Sequence, residues 1–541
     1  MQLKGYLSII LHAHLPFIRH PSFHDFMEED WLFEAITETY LPLLDAFEEL
    51  HKQGIPFRLT ISLSPTLCEM LNDSLLKERY SRHLNRLIEL SEKEVITTRN
   101  QGLFNDTAQL YFERFRKLKD LYDNSYQQNL INAFDKFQKL GYLEIMTCAA
   151  THGYLPLMLH KKAAAAQIII ATQNYHKYFS RMPNGIWLPE CAYFPGLENI
   201  LAEAGIKYFI VDTHGVLNGT PPPLMETYLP VYCNHKKVAA FGRDIGTSRR
   251  VWSATEGYPG NADYREFYRD LGYDAPYQYI KPYLHTDGIR RNIGIKYYRI
   301  TGNVPLNMKE PYDRQKALSK VEYNADNFVS SCQKQLSHLS DKISSIIGED
   351  NQTEITPIIV APYDAELFGH WWFEGPDFIS AVVTKINRQS DFSLITPSDY
   401  LKRYPKLQIS QPSFSSWGNK GYSEVWLNGK NDWLYRHLHN AEKRMIEIAT
   451  KYYHSTDNNQ NNVLNQMARE LLLAQSSDWP FLLTNQHSEC YAQNRFKTHI
   501  ARFNQLYDNL ENNKVDELCL EEMHSEDNLF GEIDYKVYAE L

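Results

Sequence analysis

Residues 6–16 read YLSIILHAHLP, a short apolar run that ends in two histidines spaced by one residue and then a proline. The run is too short to be a helix of ordinary length and has no polar alternation, which predicts a strand covered on both faces. It resembles the core of a secretion signal, but it passes straight into His12, His14 and Pro16 with no small-residue cleavage site, so a first strand is the better reading. The same grammar recurs along the chain. Apolar runs at Phe57–Leu63, Leu143–Ala150, Gly185–Leu188, Tyr208–Val211, Pro357–Val360 and Leu394–Ile395 each stop at residues suited to chemistry or turning. These are Ser64-Pro65, Thr151-His152, Pro189-Glu190, Asp212, Tyr363-Asp364 and Thr396-Pro397. Helical stretches such as Trp31–Glu49, Ala163–Tyr178 and Leu197–Ala204 lie between them. Strands alternating with helices predict parallel βα units, and reactive groups at strand ends predict a β/α barrel. A flat doubly wound sheet is disfavoured because no GxGxxG follows the first strand.

Working outward, residues from about 95 to 140 predict a helical insertion, and residues from about 213 to 355, rich in Gly, Pro and Tyr, predict loops over the barrel mouth. A catalytic unit over 1–405 is followed by a helical unit over 406–511 and by an acidic tail, 512–541, expected to pack loosely. The 541 residues suffice for two or three packed units. A formal charge of −10 argues against a nucleic-acid partner, which would demand concentrated basic surface. No stretch approaches about 18 uninterrupted apolar residues, so no membrane span is expected. Seven cysteines with no CxxC pair predict free thiols in a reducing, cytoplasmic setting.

Two carboxylates stand out. Glu190 lies in GIWLPECAY and Asp364 in APYDAELFGHWWFEG, with Glu366 and His370 close by. A carboxylate at the end of an apolar strand is costly unless solvated, paired or used. Two of them from different strand ends, among Trp and Tyr, suit glycosyl transfer, where one attacks and the other donates a proton. Asp364 and Glu366 alternate along an extended chain, so only one is expected to face the site. The HxH of His12 and His14 also suits a metal hydrolase of the amidohydrolase or deacetylase kind, with His152 and Asp212 recruited as further ligands. A third reading is a non-catalytic glucan-binding protein that presents its aromatic residues as platforms.

Five ordered blocks then carry a resemblance over nearly the whole chain. They are HAHLP with RHP and EEDWLFEAITETYLPLL after it, THGYLPL, WLPECAY, YDAELFGHWWFEG and the late AQSSDWPFLL. In these the chain resembles the 1,4-α-glucan branching enzymes of glycoside hydrolase family 57, built on an incomplete (β/α)7 barrel. The resemblance implies Glu190 as nucleophile and Asp364 as general acid/base. It implies His12, His14 and His152 as donor-site walls, and Arg269, Gly288, Trp417, Trp426 and Asp478 as substrate-binding residues, with Trp479 a further platform. The implied substrate is an α-glucan; no metal and no cofactor is expected. An α-amylase or 4-α-glucanotransferase of the same family shares both carboxylates. The chain departs from the family where a loop tyrosine that excludes water would fall. Between WLPECAY and GYPG it offers Tyr228 and Tyr232, and near PYQYIKPY it has Tyr277 or Tyr279 in place of a tryptophan.

Overall fold

The structure is a computed structural model describing residues 3–234, 237–253, 256–347, 355–389, 391–512, 514 and 516–540. Nine strands form its sheet: β1 Gly5–Ala13, β2 Leu59–Leu63, β3 Leu143–Cys148, β4 Gly185–Trp187, β5 Tyr208–Val211, β6 Val231–Cys233, β7 Val238–Gly242, β8 Ile358–Asp364 and β9 Phe392–Leu394. Their order is β6-β7-β5-β4-β3-β2-β1-β8, with β9 pairing the start of β1. Among the described residues eight of them run parallel, the array β7-β5-β4-β3-β2-β1-β8 and β9 beside β1, and β6 alone is antiparallel, to β7. The two ends of the array meet through one backbone bond, Asp244 N–H to the Val360 carbonyl at 2.9 Å. This is an incomplete (β/α)7 barrel. Every residue of β1 is buried, which explains an apolar run without alternation.

The expected strands are all present, and two more lie where loops were expected. β7 is a barrel strand inside the 213–355 stretch, and the same stretch holds a 34-residue helix, Arg314–Ile347. That helix buries Ala317, Val321, Ala325, Phe328, Cys332, Leu336, Leu339 and Ile343, a stripe in steps of three and four. The Gly, Pro and Tyr of the preceding irregular part masked the helical period when the stretch was read as one piece. The helical insertion also begins earlier than residue 95. Helices Pro65–Asn72 and Ser74–Thr97 precede Leu103–Asp120 and Leu130–Lys139. Each of the first two carries an N-cap whose side chain accepts a backbone N–H, Ser64 from Leu67 and Asp73 from Leu76.

Beyond the barrel come helices Trp433–Lys451, Asn458–Ala474, Asp478–Asn485 and Glu489–Glu511, and the start of the third reaches the strand ends through Asp478, bonded to His14. The acidic tail is a correction. It folds as a helix, Glu517–Glu526, and a turn, Tyr535–Tyr538, and it buries Leu529, Phe530, Ile533, Tyr535 and Tyr538. Its apolar residues are too widely spaced for a periodic signal, yet they fill a groove against helices that are distant in sequence. Asp527, fully buried, receives Arg495 at 3.2 Å and also Arg502, which pins the tail to Glu489–Glu511. All seven cysteines are free. Among the described residues no helix is long and apolar enough to cross a membrane.

Candidate active site

Parallel pairing sets His12 beside Ser62 on one side and beside Asp364 on the other. The mouth is therefore assembled by register, because equivalent ends of neighbouring parallel strands emerge together. β3 delivers Thr151-His152 and β4 delivers Glu190. At both points the backbone is forced into the left-handed region, with φ +56° at His152, +63° at Glu190 and +49° at Cys191. Such non-glycine conformations cost of order 1–3 kcal/mol each and mark positions where side chains are re-aimed.

The Glu190 carboxylate is held from two sides. Trp417 Nε1–H donates to Oε2 at 2.8 Å, and Ser477 Oγ–H donates to Oε1 at 3.0 Å. These partners lie 227 and 287 residues away in sequence. Donor logic then orders the histidines. Ser477 spends its proton on the carboxylate, so it accepts from His152 Nδ1–H at 2.8 Å. His152 Nε2 consequently accepts from His12 Nε2–H at 3.0 Å. His14 bonds Asp478 Oδ2 through Nε2 at 3.0 Å and Ser64 Oγ through Nδ1 at 2.9 Å, and its ring stacks on His152 at 3.8 Å. Trp187 lies flat beneath His12 at 4.5 Å.

Burial pushes the Glu190 carboxyl up to about 7, against the pull of the Trp417 and Ser477 donors. Burial, reinforced by the negative charges of Glu366 and Glu190, pushes Asp364 well above the usual carboxylate range, and Arg243 opposes this. Burial drives His12 and His152 down, so both are neutral. Asp478 resists its own burial because His14 holds it below its ordinary value. The arrangement separates an anchored carboxylate with two donors from a second carboxyl that favours its proton, and such a division suits a nucleophile and an acid.

Several expectations shift in detail. Glu366 does not turn away from the mouth. β8 ends at Asp364 and the chain curls into a tight turn, so strand alternation lapses, and Glu366 receives the His14 backbone N–H at 3.3 Å and the Tyr40 hydroxyl. Trp426 and Trp479 are 1 % and 0 % exposed. Trp426 stacks on Tyr154, and Trp479 donates to the Leu473 carbonyl within the helical unit, so both rings are spent on packing and offer no face to a ligand. Arg269 is held by Asp274 at 2.8 Å and covers the Tyr298 ring, while Gly288, at φ +67°, has its carbonyl taken by Tyr277. Among the described residues no contact joins either to Glu190 or Asp364. Tyr228 is tied to Gln335 and Asp244, Tyr232 to the Pro405 carbonyl and Tyr279 to Glu94. Residues 235–236 and 254–255 of the loop interval lie outside the described residues.

The metal reading finds its residues engaged elsewhere. Asp212 faces Arg243 at 3.5 Å, not the histidines. His14, His152 and Asp478 do converge, as do His12, Cys148 and His152, but the ring nitrogens are already bonded to protein groups and burial keeps the Cys148 thiol protonated. A third cluster, Glu470, His499 and Asp527, is flanked by the guanidinium groups of Arg495 and Arg502. Residues the sequence reading passed over are Ser477, Arg243, Trp187 and Trp252. Trp252 stands 37 % exposed at the rim, 6.0 Å from Trp417. Ser477 and Trp187 were within reach of a sequence argument, since they lie inside the SSDW and WLPE blocks.

Trp417→Phe isolates one of the two anchors. Losing a hydrogen bond to an ionised group costs about 1.5–3 kcal/mol. The expected result is a kcat about 10- to 100-fold lower near neutrality, with the acidic limb of the pH profile moved to higher pH. A carboxylate attacks in its ionised form, so with Glu190 in the role the resemblance implies, one fewer donor raises its pKa further and moves that limb. Measuring kcat against pH on amylose checks both effects; an unmoved limb counts against the anchor.

A barrel with paired carboxylates at its strand ends, covered by a helical unit, is the architecture of enzymes that cleave or transfer glycosidic bonds. Residues 8–350 match the model of glycosyl hydrolase family 57, and the chain belongs to that family. Residues 437–538 match the model described as 1,4-α-glucan branching enzyme, C-terminal. Relatives include the 1,4-α-glucan branching enzyme TK1436 of Thermococcus kodakarensis, 35% identical over 98% of this chain and 78% of the relative. Solved structures similar to this chain include the α-amylase AmyC of Thermotoga maritima, at 44% identity and TM-score 0.92 over 99% of each chain. They also include the GH57-type branching enzyme of Pyrococcus horikoshii, at 34% identity and TM-score 0.86 over 99% of this chain and 97% of that one.

Proposed function

We propose that this protein is a 1,4-α-glucan branching enzyme acting by retaining double displacement, with the catalytic barrel at about 1–405 and a helical unit from 406 that completes the cleft. The observation that carries the reading is the Glu190 carboxylate, anchored by Trp417 from one segment and Ser477 from the helical unit. Burial, with the charges of Glu366 and Glu190, pushes the Asp364 carboxyl toward its protonated form. Glu190 attacks the anomeric carbon of an internal α-1,4 bond. The glycosidic oxygen leaves with the proton of Asp364, and the cut chain remains as an ester on Glu190. Asp364, now a base, takes the proton of a glucan 6-hydroxyl. That oxygen displaces Glu190 to form an α-1,6 bond, and both side chains return to their starting states. His12, His14, His152 and Asp478 form the polar wall of the donor site in this reading, and Trp417 adds a ring at its edge.

Hydrolysis is the second reading, and two observations favour it. The α-amylase AmyC is similar over 99% of the chain, and Tyr228 and Tyr232 bond to Gln335, Asp244 and the Pro405 carbonyl, with no bond to Glu190 or Asp364 among the described residues. Water in place of the 6-hydroxyl completes the same cycle. The deciding test is incubation with amylose, counting α-1,6 linkages by debranching and reducing ends in parallel. New α-1,6 linkages, accompanied by some reducing ends, are expected. Reducing ends alone would leave an amylase.

A further inference from the structure

The turn that holds Glu190 is itself held by a chain of buried amides whose direction has one solution. Ser476-Ser477 and Thr151-His152 meet at the junction of barrel and helical unit. Gly153 and Ser476 form a β-bridge, and Ser477 N–H donates to the His152 carbonyl at 3.0 Å. Behind this junction lies a small cavity lined by Tyr154, Leu157, Glu442, Gln475, Ser476 and Ser477.

Buried polar contacts join the two sides of the junction. Thr151 N–H donates to Gln167 Oε1 at 3.0 Å. Gln167 Nε2 donates to Thr151 Oγ1 at 2.9 Å and to Gln475 Oε1 at 3.1 Å. Gln475 Nε2 donates to Glu442 Oε1 at 3.1 Å. Glu442 Oε2 takes the backbone N–H groups of Leu159 at 3.0 Å and His160 at 3.2 Å. Gln167, Gln475, Glu442 and Thr151 are all buried, and Tyr538 of the C-terminal turn lies beside Glu442.

A backbone N–H can only donate. Thr151 thus orients Gln167, Gln167 orients Gln475, and Gln475 delivers a donor to position 442. With two more N–H donors arriving from Leu159 and His160, position 442 must present an acceptor on each of its two oxygens, and these donors oppose the burial that raises the Glu442 carboxyl to about 7. We propose that Glu442, Gln475 and Gln167 form a directional clasp that positions Ser477 and His152, and through them the Glu190 carboxylate. They are positioning residues, since none touches the reacting atoms. The inference rests on the reading of Glu190 as the attacking group, and it extends the machinery into the helical unit.

Donor direction makes the clasp testable by a swap. Glu442→Gln sets an NH2 against the Gln475 NH2, or against the Leu159 and His160 N–H groups. Gln475→Glu alone sets a second buried carboxylate against Glu442. The double variant E442Q/Q475E restores every pairing. The carboxylate introduced at position 475 then accepts from Gln167 and from the amide introduced at position 442. The oxygen of that new amide takes the two backbone N–H groups.

The experiment measures kcat and KM on amylose and thermal melting for the parent, both single variants and the double variant. Glu442→Gln is expected to lower kcat between about 10- and 100-fold with KM unchanged, the scale of a slightly misplaced reacting group. The double variant should recover most of both kcat and Tm. A Glu442→Gln enzyme with parental kcat, or a double variant that recovers neither quantity, overturns the clasp. Recovery of Tm without recovery of kcat overturns its positioning role. If the parent turns over no α-1,4-glucan, the functional reading has failed and the clasp is judged by the melting cycle. Two destabilised singles and a restored double support it, and additive losses refute it.

Discussion

Glu190→Gln is expected to lower kcat on amylose by a factor on the order of 10⁴–10⁶, because the variant lacks the atom that forms the covalent ester. The fold should survive. The amide oxygen still accepts from one of the two donors, and the mismatch at the other costs about 1–3 kcal/mol. The more informative partner is Glu190→Ala assayed on an activated α-glucosyl donor with azide. With the carboxylate gone, azide enters the space it vacated, opposite the leaving group, and the product is the β-azide. An α-azide from this variant would reverse the two roles. Parental kcat in Glu190→Gln would show that another group attacks; a parent without turnover, whose glucan binding survives both Glu190→Gln and Asp364→Asn, would point to the non-catalytic glucan-binding reading.

Asp364→Asn should cost about 10²–10⁴-fold, the usual scale for losing a general acid/base. The loss should shrink on donors whose leaving group needs no proton, since cleavage then depends only on Glu190. The pH profile gives the sharper signature. In the parent, activity falls as pH drops through the region near 7, where Glu190 gains its proton. It also falls as pH rises through the raised value of Asp364, where the acid is lost. The result is a bell whose limbs belong to the pair. Asparagine has no proton to lose, so the basic limb should vanish in Asp364→Asn while the acidic limb stays. A bell preserved in that variant would show that another group supplies the proton.

The barrel was legible because its strands are buried on both faces. Runs such as Tyr6–Leu11 and Tyr208–Val211 have no polar alternation and stop abruptly at polar residues or turns, so the strand ends could be placed to within four residues. The helix Arg314–Ile347 was missed although its stripe is regular, because reading it together with the irregular residues before it diluted the period. β7 was missed for a different reason. Its five residues, VAAFG, contain two alanines and a glycine, and they become a strand by pairing with β5 and β6. The tail followed suit, since Tyr535 and Tyr538 bury themselves against partners that no local window contains.

What the sequence by itself determined is which groups reach the barrel mouth. Strand ends are a local property, and Glu190, Asp364, His12 and His152 follow from them together with the five ordered blocks. What only the tertiary structure decided is how each group is held and which aromatic residues meet it. Trp417, Trp426 and Trp479 sit in comparable motifs, yet only Trp417 reaches Glu190, while the other two are sealed in packing. The physical reason is that a hydrogen bond requires donor and acceptor within about 3 Å and correctly directed. Between residues hundreds of positions apart, that condition is set by how the helical unit seats on the barrel, and no local pattern encodes it.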